Sequence, residues 1–174
     1  MIALWFVLAA SGIAAYTDVT KRRIPNALVL AVLLGGLALR ATSGWSSLLA
    51  GVAIFAALIA AGCLAFSWGI AGGGDVKFAA AAGAALGWPD AMPFLLYTML
   101  AGGVLAVAIA LRKRTLRATA GNVASITFSL LNRTRPALDA PAAVKMPYAV
   151  AIFAGAAATL AANASALHLL RIAQ

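Results

Sequence analysis

Glutamate is absent from this chain of 174 residues, and four aspartates are its only acidic side chains. Thirteen lysines and arginines oppose them, for a formal net charge of +9. The chain has one cysteine, Cys63, and one histidine, His168. A lone thiol makes no intramolecular disulfide, and one Cys with one His makes no metal-ligand cluster, so no metal is expected. Residues 41 to 74 carry no charge at all. The alternating polarity of a membrane β-barrel is missing as well.

What fills the chain is apolar. Hydrophobic residues make up 64%, with a mean hydropathy of +1.01. Runs of the about 20 apolar residues needed to cross a bilayer recur, which excludes an ordinary soluble protein. The cations lie between these runs, with no aromatic-studded basic groove, so no nucleic-acid partner is expected. They read instead as charge retained on the cytoplasmic side of a membrane protein.

The expected architecture is all-α: a polytopic integral membrane protein of about six transmembrane helices, a single domain over 1–174. Spans are expected at about Ile2–Thr17, Pro25–Leu39, Ser47–Trp68, Val76–Trp88, Met92–Leu111 and Met146–Leu169. The first lacks a basic leading region, so it reads as a retained span and not as a cleaved signal. Pro25 suits the first turn of a helix. With both termini outside (periplasmic), eleven cations fall inside, and Arg40 and Arg171 fall outside. The fourth span is the short one. Residues 112–145 form a basic, mixed segment, either an interfacial helix or a mobile loop over the site, with the helix preferred.

Two aspartates stand at the edges of apolar runs. Asp18 closes the first span, and Asp75 follows Gly72-Gly73-Gly74 at the start of the fourth. In the expected topology both lie at one depth on the inner side. A carboxylate at membrane depth costs roughly 2.5–3.5 kcal/mol on insertion scales, so each is a functional candidate. Juxtaposed carboxylates share a proton, one taking a proton from water while the other donates to a carbonyl, as in aspartic peptide hydrolysis. Helix ends suggest Asp75 as an N-cap and base, and Asp18 as acid. A proton or ion pathway is the rival from another class. The bland readings are a helix cap for Asp75 and a charge snorkelling to the interface for Asp18. Asp90 and Asp139 read as solvated, His168 as interfacial, and Tyr16 and Tyr148 as interfacial anchors. Glycine at 83 and 87, with Ala79, lines the Asp75 face with small residues, which permits close helix approach.

Three stretches resemble one family. Asp18-Val-Thr-Lys21-Arg22-Arg23-Ile24-Pro25-Asn26, Gly72-Gly-Gly74-Asp75-Val-Lys77, and Met146-Pro-Tyr-Ala-Val-Ala-Ile152 are similar to the type IV prepilin peptidase family of GxGD membrane aspartic proteases. The short CpaA/TadV-like branch, associated with Flp-type pilus assembly, is the nearest in size. The resemblance implies that Asp18 and Asp75 are catalytic, with Gly72, Gly74, Lys77, Arg22, Arg23, Pro25 and Asn26 as motif support. It implies no cofactor, a bacterial inner-membrane location, and a prepilin or pseudopilin substrate. Cleavage would follow a glycine, on the cytoplasmic side, and pilus assembly machinery is an implied partner. Longer members carry a cysteine-bearing segment between the first two spans; here only Lys21 to Ile24 separates them, so peptidase activity without N-methylation is expected. A preflagellin-type or other GxGD peptidase, or a non-catalytic proton-coupled membrane or pilus assembly protein, is the alternative. Backbone pairing of an extended substrate with Gly72–Gly74 is a further expectation.

Overall fold

The computed structural model describes residues 1–68, 71–132 and 147–172. Among them are seven helices and no strand. They are α1 (Ile2–Lys21), α2 (Asn26–Ala41), α3 (Trp45–Ser67), α4 (Gly73–Leu86), α5 (Ala91–Arg112), α6 (Leu116–Asn132) and α7 (Tyr148–Ile172). The helix α6 occupies the front of the segment expected over 112–145. Arg133, Arg135, Asp139, Lys145 and Met146 lie outside the described residues. So do the side chains of His168 and Arg171.

Helix α1 buries Leu4, Val7, Ser11, Ala14 and Asp18. Steps of three and four residues place these on one helical face. Asp18 therefore continues the core stripe instead of snorkelling outward. Arg22 ends α1 in the left-handed conformation, its N–H donating to the Asp18 carbonyl at 2.8 Å. Pro25 then caps α2 from one position ahead of the expected first turn. Its carbonyl accepts from the N–H groups of Leu28 and Val29.

Among the described residues, four helices are long and apolar enough to cross a membrane: α1, α3, α5 and the Tyr148–Ala166 stretch of α7. The expected second and fourth spans are shorter, with 16 residues in α2 and 14 in α4. At about 1.5 Å per residue α4 is only about 21 Å long. Its surroundings explain how so short a helix stands. Phe78 and every residue from Ala80 to Leu86 are buried, with α2 and α3 as the chief neighbours. A helix apolar on all sides belongs in a core, and backbone inside protein needs no bilayer-matched length. By contrast α3 buries only Gly51. Large side chains such as Trp45, Leu64 and Phe66 are turned out of the bundle.

Small residues set the helix spacing. A Cβ on Gly36 of α2 would lie 2.7 Å from the Ala85 Cα of α4. On Gly155 of α7 it would lie 2.7 Å from the Thr98 backbone nitrogen of α5. Paired contacts also give the helix directions. Gly36 meets Ala85 and Gly74 meets Ile24, so α2 and α4 run parallel. Gly12 meets Phe153 on α7, and α7 runs antiparallel to α1. The end of α1, the start of α4 and the start of α7 thus gather at one end of the bundle.

Gly36→Val is expected to lower stability by about 1–3 kcal/mol, because the neighbour it strikes is backbone and cannot rotate away. Thermal unfolding of the detergent-solubilised protein checks this; an unchanged midpoint contradicts the close α2–α4 contact.

Candidate active site

Three helix ends build the site. From α1 comes Asp18, only 8% exposed. A buried carboxylate requires donors, since an unpaired one is costly. The donor is the backbone N–H of Ala149, 3.2 Å from Asp18 Oδ2. Ala149 is in the first turn of α7, where N–H groups have no partner within their own helix.

From α4 comes Asp75. The N-cap of α4 is Gly72, in extended conformation, and Asp75 lies two residues beyond the helix start at Gly73. The expectation of Asp75 as the cap is therefore corrected by three positions: Asp75 is in the first turn. Its carboxylate folds back over Gly72, where a Cβ would lie 2.6 Å from Oδ2. Gly73 and Gly74 are helical, which leaves Gly72 alone extended and removes the strand-like edge expected of Gly72–Gly74. Helix α1 packs against α4, and both carboxylates lie at the same end of the bundle. Both acids now sit at N-terminal turns, Asp75 of α4 and Asp18 against α7. Helix ends therefore do not divide them into an acid and a base, as the sequence suggested.

From α7 also comes Tyr148. It is half-buried. Its ring lies on Gly102 of α5, where a Cβ would meet Cε2 at 2.7 Å and the hydroxyl at 3.0 Å. The interfacial-anchor reading thus fails for Tyr148, while Tyr16 is exposed. Tyr148 and Ala149 belong to the third family-like stretch, but their places at this end of the bundle were not read from sequence. The signal was Pro147, whose carbonyl accepts the Val150 N–H and marks where free helix-start donors begin.

The supporting residues lie at the rim. Gly74 approaches Ile24, its missing Cβ lying 3.7 Å from the Ile24 Cβ. Both aspartate-bearing motifs therefore touch. Arg22, Arg23, Pro25, Asn26 and Lys77 are exposed. An open cavity of about 340 Å³ is lined by Lys21, Arg23, Ile24, Pro25 and Asn26. Asp90, read as solvated, instead accepts a hydrogen bond from Asn163 Nδ2 at 2.8 Å, at the far end of the bundle. Among the described residues, no three His, Cys, Asp or Glu side chains gather where a metal ion could be held.

An all-helical bundle with apolar, membrane-length helices defines a class, that of helical membrane proteins, here with Asp18 and Asp75 at one end. Residues 3–107 match the model of the type IV leader peptidase family. The chain belongs to that family of peptidases, and the match spans both Asp18 and Asp75. No curated protein and no solved structure matches the chain.

Gly72→Ala is expected to turn the Asp75 carboxylate away, because the new methyl occupies the place of Oδ2. A misplacement of about 1 Å at a reacting group costs about a hundredfold in rate. Leader cleavage by membranes carrying the variant should fall to that degree at wild-type protein levels. Undiminished cleavage contradicts the placement of Asp75 over Gly72.

Proposed function

We propose that this protein is a prepilin leader peptidase, an aspartic endopeptidase using Asp18 and Asp75. Family membership supports the reaction class. The single observation that carries the assignment of residues is the buried Asp18 carboxylate, held by the Ala149 N–H at the end of the bundle where α4 opens with Asp75. Burial of an acid this expensive, beside a second acid, is the pattern of a proton-sharing pair.

In the proposed reaction the pair holds one proton. The ionised carboxylate takes a proton from water, and the oxygen of that water attacks the scissile carbonyl. The protonated carboxyl donates its proton to the carbonyl oxygen. The tetrahedral intermediate then collapses as a proton passes to the leaving amine, and the C–N bond breaks.

The substrate in this reading is a type IV prepilin of the Flp/Tad kind, a short basic leader ahead of a hydrophobic helix. The enzyme is multi-pass in the bacterial inner membrane, with α2 and α4 completing six crossings and both termini periplasmic. The site then faces the cytoplasm, as does α6, which lies along the inner surface with Leu116, Val123 and Phe128 exposed. Gly72 and Gly74 keep the approach to Asp75 clear, and Lys77, Arg22, Arg23, Pro25 and Asn26 form the rim. The enzyme is a peptidase alone, without methyl transfer.

Incubation of a leader-bearing pilin with wild type, Asp18→Asn and Asp75→Asn tests this. Wild type should cleave after a glycine. Each variant should lose activity by about 10²–10⁴-fold, the range for a positioned acid or base. Cleavage surviving in either variant refutes the pair. No cleavage by any form favours a proton pathway or an assembly role. Transfer of a methyl group from S-adenosylmethionine to the new terminus would refute the peptidase-only reading.

A further inference from the structure

Arg40 stands at the opposite end of the bundle from the aspartates. Topology alone makes it an outer-surface charge. In the structure it is half-buried and ties three helices together. From the last turn of α2 its Nε donates to the Ser47 carbonyl in α3 at 3.2 Å. Its Nη1 donates to the Leu86 carbonyl, the last residue of α4, at 3.0 Å. That carbonyl is one of the four at a helix C-terminus with no partner in its own helix. Glycines clear the path. Gly87 ends α4 at φ +64°, and a Cβ there would collide with the Arg40 guanidinium. A Cβ on Gly51 would lie 3.1 Å from Arg40 Cδ.

Elsewhere along α4, buried Phe78 and the contacts of Val76 with Gly62 and of Leu58 with Gly83 key the helix to its neighbours. Its buried run from Ala80 to Leu86 is alanine and glycine except for the final leucine. Methyl-on-backbone contacts are weak individually and have no direction. Charge-assisted hydrogen bonds are directional and about twice as strong as neutral ones. Arg40 therefore adds a directional hold at the C-terminus of α4, and a hydrogen-bonded helix carries that setting to its other end, where Asp75 sits.

We propose that Arg40 is a positioning residue: by gripping the C-terminus of α4, it sets the depth at which Asp75 meets Asp18. This rests on the assignment of Asp75 to the reaction, so its test needs a readout independent of cleavage. Val76 provides one. A Cβ on Gly62 of α3 would lie 3.1 Å from the Val76 Cβ, close to the about 3.5–4.5 Å of a disulfide. In a Cys63→Ala background, Gly62→Cys with Val76→Cys reports the α3–α4 register through oxidative cross-linking.

Adding Arg40→Met should cut the cross-link yield at least twofold. In the otherwise wild-type enzyme, Arg40→Met should lower kcat for leader cleavage at least tenfold, with KM within twofold. Arg40→Lys, which keeps a donor, should recover part of both. Cross-linking or kcat of Arg40→Met within twofold of its parent overturns the proposal. If Arg40→Met does not accumulate in membranes, Gly87→Ala decides. It displaces the guanidinium and should reproduce both losses, and either value unchanged overturns the proposal. A parent enzyme that cleaves nothing refutes the peptidase reading instead, and the cross-link yield alone then judges the grip.

Discussion

The bond between the Ala149 N–H and Asp18 is the constraint on which the rest depends. A carboxylate on the buried stripe of α1 needs a donor, since an unpaired one is costly. Left alone, it would oppose the packing of the first helix. The first turn of α7 supplies a donor that the helix itself does not use. The first and last helices are thereby fastened at one end, and the acid is oriented by a main-chain group that only proline at 149 would remove. That end is where α4 presents Asp75.

The remainder of the bundle brings α4 close enough to matter. Its alanines and glycines allow α2 and α3 to pack at backbone distance, and the bulky apolar side chains are displaced to the outside. The core still holds Phe78, Phe94, Leu4 and Ile152, but the outside of the bundle is apolar as well. It suits a chain whose surroundings are apolar: exclusion from water does not drive helix association there, so close packing and hydrogen bonds must. Polar links accordingly occur at both ends of the bundle. Asp18 with Ala149 holds the acid end, while Arg40 with Leu86 and Asn163 with Asp90 hold the other.

Much of this could be read from sequence because the strongest signals are compositional. Apolar runs broken by Lys21–Arg23, Thr42–Gly44 and Pro89-Asp90 locate the helices within a few residues. Asp18 and Asp75 are conspicuous because acids are so scarce. Partners were harder to find. A backbone N–H carries no residue signature, so Ala149 was invisible. Tyr148 looks the same whether it anchors at an interface or lies against Gly102. Arg40 counted as one outer cation, and only three-dimensional proximity reveals the vacant places at Gly51 and Gly87. The length of α4 was underestimated at its start, since three glycines suggest a loop where two of them open a helix.

A peptide spanning the leader junction, with a hydroxyethylene group replacing the scissile amide, probes the convergence of the two acids most directly. Such a tetrahedral mimic binds through whatever groups surround the reacting carbon. Its affinity should be high for the wild-type enzyme and should fall at least tenfold in Asp18→Asn and in Asp75→Asn alike. Equal affinity in all three proteins, or a loss confined to one variant, contradicts a shared site.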